Sequence, residues 1–170
     1  MIEVREARAG DAAELVRLRR LMFAGMHGVD RPGAWEREAE AVARRELELP
    51  RAERSLGAFV VDGDEGSGLT GELGGGGPTL AACAVGTVEQ RLPAPAHPTG
   101  RFGFVFSVCT DGRYQGRGYA RAAMEALLDW FAARGVNRVD LHASKEAEHL
   151  YRALGFTEHS TPLSLHLREG

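Results

Sequence analysis

A chain of 170 residues that is 44% apolar has the size of one domain with a sizeable core. Its formal charge of −3 offers no general attraction to nucleic acid or to an anionic membrane surface. No apolar run approaches the length of a membrane span, and Met1 to Arg5 does not read as a signal peptide, so a cytoplasmic protein is expected.

Ile2 to Arg8 alternates enough for a first strand. Asp11, with Glu14 three residues on, reads as the N-cap of a helix that carries Leu15, Leu18 and Met22 inward and stops near Gly25. Met26 to Ala34 holds Gly28, Pro32 and Gly33 and reads as a loop. A second helix follows from Trp35 to Leu49, closed by Pro50. Strands are expected over Ser55 to Asp62 and Thr79 to Arg91. Between them, Gly63 to Pro78 has eight glycines in sixteen residues, too costly to order, and reads as a mobile hairpin connection. Arg91 to Gly100, with three prolines, is a surface loop.

Phe102 to Cys109 is nearly continuous in apolar residues, as a buried strand should be. Cys83 and Cys109 lie in apolar, strand-like surroundings without a CxxC, which favours reduced thiols. The six histidines show no ligand spacing, and no metal site is expected. The strand leads into Arg113-Tyr114-Gln115-Gly116-Arg117-Gly118-Tyr119-Ala120-Arg121, and a helix follows with Met124, Leu127, Leu128 and Phe131 on one face. Strand, tight glycine loop and helix together aim free backbone N–H groups and a positive dipole end at one spot, where phosphate binds. Arg113, Arg117 and Arg121 add charge. Taken alone, the loop is equally a plain tight turn. The chain then turns at Arg134-Gly135-Val136, and Asn137 to Ala143 reads as a strand. Ser144 caps a short helix that ends at Gly155, and Phe156 to Leu167 forms a final hairpin broken at Pro162. Residues 1–170 read as a single domain.

Gln115-x-x-Gly118-x-Ala120, followed by Leu150-Tyr151-x-x-Leu154-Gly155-Phe156, resembles the GNAT N-acetyltransferase superfamily. The resemblance covers Phe102 to Phe156 well and the earlier part only in its order of elements. It implies an α/β (α+β) fold: a mixed, mostly antiparallel sheet of six to seven strands flanked by about four helices. It also implies acetyl transfer from acetyl-CoA to a primary amine by direct attack in a ternary complex. A non-catalytic acyl-CoA-binding or regulatory module of the same fold is the alternative, and a homodimer stays open.

By the same resemblance, Gln115, Gly116, Arg117, Gly118, Tyr119 and Ala120 hold the pyrophosphate. The backbones of Val108, Cys109 and Thr110 pair with the pantetheine, and Ser144 stands where many members have a pantetheine-binding Asn. Tyr151 becomes the general acid that protonates the departing thiolate. It shares a helical face with Ala147, Leu150 and Leu154, so a purely structural core role stands beside that one. Phe102 to Val108 carries no acid, which leaves the general base unassigned among Glu89 acting through water, His27 and Asp30, with Ser107 able to hold that water. Met26, His27, Asp30 and Trp35 are acceptor-pocket candidates. Cys109 as a nucleophile is disfavoured, because nothing basic lies beside it in sequence.

Overall fold

The computed structural model describes residues 1–64 and 79–168. Among the described residues five strands form one sheet in the order β1 (Arg5–Glu6), β2 (Leu56–Asp62), β3 (Leu80–Gln90), β4 (Arg101–Thr110) and β5 (Val139–Leu141). The first four are antiparallel and β4 pairs with β5 in parallel. Four α-helices accompany the sheet: α1 (Ala12–His27), α2 (Trp35–Glu48), α3 (Tyr119–Ala133) and α4 (Glu148–Ala153). The mixed, mostly antiparallel arrangement is the expected one, but among the described residues the sheet has five strands rather than six or seven.

The missing strands belong to the C-terminal segment. Leu163, Leu165 and Leu167 alternate with polar residues as a strand would, yet they are 89%, 84% and 83% exposed, and no ladder forms over residues 157–168. Alternation supplies an apolar face, but a strand also needs a partner edge to satisfy its backbone. Smaller corrections come from the same competition between local signal and tertiary context. β1 shrinks to two residues and β5 to three. Helix α1 runs through Gly25 and ends at Gly28, whose φ of 72° supplies the left-handed cap, so Met26 and His27 are helical. Asp11 caps no N–H of α1. Its carboxylate accepts from the Arg8 amide at 2.7 Å and from Arg5 at 2.8 and 2.9 Å.

β3 is central, and its Leu80, Ala81, Ala82, Cys83 and Ala84 have no exposed surface. Small side chains on both faces let helices approach from both sides. Leu15 and Leu18 of α1 and Leu47 of α2 pack on one face against Val60, Leu80, Cys83 and Val85. Met124, Leu127, Trp130 and Phe131 of α3, with Tyr151 of α4, pack on the other against Ala84 and Val105. Of the glycine-rich connection from Gly63 to Pro78, all beyond Asp64 lies outside the described residues. Its first two residues are held, since the Gly63 amide donates to Thr79 O at 2.7 Å and that of Asp64 to the Tyr114 hydroxyl at 3.0 Å.

Candidate active site

Two irregularities of β4 create the site. Val85 pairs with Ser107 and Gly86 with Val105, so Phe106 is a bulge residue without a partner on β3. On the other edge β5 pairs only with Gly103, Phe104 and Val105. Beyond them the two parallel strands part, leaving an open edge from Phe106 to Thr110. The Asp111 amide donates to Ala81 O at 2.8 Å. By the two-residue alternation of a strand, the Cys109 backbone also faces β3, whereas the amides and carbonyls of Val108 and Thr110 face the gap. That geometry corrects the expectation for Cys109: two residues, not three, offer free backbone groups there.

The gap opens into a cavity of about 240 Å³ lined by Met22 and Met26 of α1, Phe104, Phe106 and Val108 of β4, and His142, Ser144, Ala147 and Tyr151 beyond β5. A second cavity of about 630 Å³ adjoins it and shares Phe104, Leu141, His142 and Tyr151. Tyr151 is 8% exposed, stands edge-on to Phe156 at 5.9 Å, and its hydroxyl makes no hydrogen bond among the described residues. Burial raises its pKa, which keeps the phenol protonated. Ser144 lines the smaller cavity while its Oγ accepts from the Ala147 amide at 3.3 Å.

At the end of β4, Asp111 organises the glycine loop. It accepts from the Arg113 amide at 3.0 Å, from the Arg113 side chain at 3.1 and 3.2 Å, and from Arg17 of α1 at 2.8 Å. Gly116 and Gly118 follow with φ of 79° and 80°, values that suit glycine, and Gly118 is the N-terminal flanking residue of α3. The amides from Gly116 to Arg121 find no acceptor among the described residues; the first helical amide to do so is that of Ala122, on Gly118 O at 3.1 Å. A row of orphan N–H groups at the start of a 15-residue helix, beside an exposed loop, is a fitting cradle for a diphosphate. Of the three arginines expected around it, Arg113 is tied to Asp111 and Arg121 to Glu125 at 3.2 Å. Arg117, lying over the Tyr114 ring at 5.2 Å, has no carboxylate partner among the described residues.

The base candidates fare less well. Glu89 lies at the exposed end of β3, pairs with Arg91 at 3.1 Å and lines neither cavity. Asp30 is clamped by Arg20 at 2.7 and 2.6 Å, and that hydrogen-bonded guanidinium lowers its pKa, which weakens it as a base. His27 stacks on Phe23 at 6.3 Å, and Trp35 meets Phe23 edge-on at 6.0 Å while its indole N–H donates to Arg31 O at 2.8 Å. Neither lines either of these two cavities; of the four acceptor candidates only Met26 lines one of them. The Ser107 hydroxyl is occupied by Arg19. Burial pushes the Cys109 thiol up to about 11 and that of Cys83 to about 12, which removes Cys109 as a nucleophile near neutral pH.

Two residues at the site escaped the sequence reading. His142, just past β5, is with Tyr151 one of the two titratable side chains lining the smaller cavity. Arg19 touches the bulge of β4. A signal for Arg19 was present, since it interrupts the otherwise apolar helical row of Met22, Phe23 and Met26. No such signal marks His142, because the parting of β4 from β5 depends on tertiary structure. Among the described residues no group of His, Cys, Asp and Glu is placed to hold a metal ion, and no helix is long and apolar enough to cross a membrane.

Comparison with known proteins bears on the same region. The model of the acetyltransferase (GNAT) family matches residues 26–156. A predicted acetyltransferase from Clostridium acetobutylicum, solved with acetyl-CoA, superposes with a TM-score of 0.77 at 20% identity, covering 98% of this chain and 96% of that one. Glucosamine-6-phosphate N-acetyltransferase from Arabidopsis thaliana gives a TM-score of 0.68 at 17% identity over 99% of both chains. Mycothiol acetyltransferase of Beutenbergia cavernae is 37% identical over 76 residues, 43% of this chain but only 24% of that protein. With the parted strands, the glycine loop and a family match over most of its length, the chain belongs to the acetyltransferase (GNAT) family, whose members draw their acetyl group from acetyl-CoA.

Proposed function

We propose that the chain transfers the acetyl group of acetyl-CoA to a primary amine by direct attack in a ternary complex. The observation that carries this reading is the continuity of three features: the orphan amides of the loop from Gly116 to Arg121, the open edge of β4 at Val108 and Thr110, and Tyr151 at the far end of the same gap. A diphosphate on the loop and an extended pantetheine along the β4 edge lead a thioester toward Tyr151. Recognition by main-chain groups suits a carrier whose arm has few side groups of its own. When bound, acetyl-CoA supplies an activated acyl group and a good thiolate leaving group.

The protein's own contributions follow from the cavity. Met22, Met26, Phe104 and Phe106 give the cavity an apolar lining against which the body of an amine can lie. In this reading His142, which also lines the cavity, takes a proton from the entering ammonium, directly or through one water, freeing the nitrogen lone pair for the acetyl carbon. As the carbon–nitrogen bond forms and the carbon–sulfur bond breaks, Tyr151, kept protonated by burial, gives its hydroxyl proton to the departing sulfur. The acylated nitrogen then gives up its second proton, which through solvent restores the Tyr151 hydroxyl, while His142 passes the first to solvent, so each turnover releases one proton.

The test is release of free CoA thiol from acetyl-CoA across a panel of small amines, amino acids and peptides. Amine-dependent release is expected. Tight acetyl-CoA binding with no release for any amine would favour a binding module instead.

A further inference from the structure

Arg19 is a half-buried cation without a carboxylate partner among the described residues; it lines neither cavity itself but rests on Phe106, which lines the smaller one. Its helix neighbours are committed: Arg17 to Glu14 at 2.6 Å and Asp111 at 2.8 Å, Arg20 to Asp30 at 2.6 Å and Glu36 at 3.6 Å. Arg19 instead uses only Nη1, which donates to the carbonyl of the bulge residue Phe106 at 3.3 Å and to the Ser107 hydroxyl. Its guanidinium carbon lies 4.6 Å from the centre of the Phe23 ring and 5.5 Å from that of Phe106. Nε and Nη2 have no acceptor among the described residues. Fixed by two aromatic rings and one carbonyl, the fork is held in place with two of its three nitrogens to spare.

Burial lowers the pKa of this guanidinium, the expected effect of desolvating a cation with no counter-ion. Such an arrangement is unfavourable unless something supplies the opposite charge. The surroundings restrict what that is. Met22, Met26 and Phe106 line the cavity, and Met26 and Phe106 remain 50% and 37% exposed, an apolar surface with one cation beside it. A dianionic phosphate calls for several free donors and cations, and the neighbouring arginines are already paired. A single carboxylate matches the planar fork of one Arg.

Building on the transfer reading above, we propose that Arg19 determines acceptor specificity by binding a carboxylate, and that the acceptor is an amine with an apolar body and a carboxylate, of the amino-acid type. The carboxylate bonds to the free Nε and Nη2, the apolar body lies on Phe106, Met22 and Met26, and the amine points into the cavity that Tyr151 lines.

Matched pairs of amines test this: phenylalanine against phenethylamine, and leucine against isoamylamine, each with wild type, Arg19→Met and Arg19→Lys. Wild type is expected to favour the acid about 10- to 100-fold in kcat/KM, mostly through KM, as one charge-assisted contact allows. In Arg19→Met the preference disappears while the decarboxylated amine keeps its kcat/KM to within a few-fold. Arg19→Lys keeps a reduced preference and covers the case in which Arg19→Met does not fold; an undiminished preference in Arg19→Lys would count against the forked contact. Transfer without preference for the acid in wild type, or an equal loss for both members of each pair in Arg19→Met, overturns the assignment and leaves amine acetylation standing. An equal loss would mean that Arg19 only props the β4 bulge. Absence of transfer to any amine overturns both.

Discussion

Arg17 on α1 donates to Asp111 at 2.8 Å, across 94 positions of sequence, and so ties the first helix to the start of the glycine loop ahead of α3. Asp111 is buried and also holds Arg113, by side chain and amide. The loop from Gly116 to Gly118 therefore starts from a fixed point, although no regular structure supports it. Preorganisation of that kind lowers the entropy lost when a ligand binds.

Asp111→Asn removes the charge that both arginines face. The variant is expected to lose roughly 1–2 kcal/mol of stability at pH 7, a figure reduced for the exposure of both arginines, and to bind acetyl-CoA more weakly. The Arg113 side chain, against the opposing cost of burial, and then the Arg113 amide and Arg17 hold the Asp111 carboxyl well below its usual pKa. A depressed folded-state pKa contributes stability that is fully present above the unfolded value, about 4 for Asp, and is lost as pH falls toward the folded one. The gap in melting temperature between wild type and Asp111→Asn should accordingly be full at pH 5–7 and narrow below pH 4. A gap independent of pH would show that the ion pairs contribute little.

Gly118→Ala tests the loop. An added Cβ would lie 3.5 Å from Ile2 Cδ1, ordinary contact, but the φ of 80° strains any L-residue. A left-handed conformation costs about 1–2 kcal/mol, or a fall of roughly 2–8 °C in Tm for a chain of this size. The protein should fold, and its affinity for CoA, measured by calorimetry, should drop at least about tenfold as the backbone amides lose their aim. Unchanged affinity with a lowered Tm would move the diphosphate elsewhere.

The thiols supply a check on the mechanism. With Cys109 pushed up to about 11 by burial, only roughly one thousandth of it is thiolate at pH 8. The native protein should resist thiol reagents at that pH and react fully once unfolded, and Cys109→Ala should keep kcat within a few-fold. A large loss of kcat in that variant would revive an acyl-cysteine route.

Sequence reasoning reached what depends on local pattern. The row Met124, Leu127 and Phe131 gave α3, and Gly116 and Gly118 gave the loop that precedes it. The apolar run ending at Cys109 gave β4. Features set by distant contacts were not legible. Nothing near Phe106 in sequence marks a bulge, since it arises from the register of β3 against β4. His142 joins the site only because β5 ends early and parts from β4. In the expected hairpin from Phe156 to Leu167, the alternation of Leu163, Leu165 and Leu167 says which face is apolar but not whether an edge is there to receive it. Glu89 is a carboxylate on the neighbouring strand, but its position at the exposed end of β3 puts it outside both cavities.

Tyr151→Phe separates catalysis from packing. The ring keeps its place against Phe156, so Tm and acetyl-CoA affinity should be nearly unchanged while kcat falls about 10²- to 10⁴-fold, the range for loss of one general acid. Near-normal turnover with a lower Tm would return the residue to the core.

The central claim is that one continuous strip of main chain, from the open edge of β4 to the start of α3, receives acetyl-CoA. An amide-resolved NMR titration with acetyl-CoA tests it without knowledge of the acceptor. The account predicts that the N–H groups of Val108 and Thr110, and those from Gly116 to Arg121, shift and gain protection from exchange. The Cys109 amide, already directed to β3, should move far less. Saturable binding that leaves the Val108, Thr110 and loop amides unmoved would contradict the account.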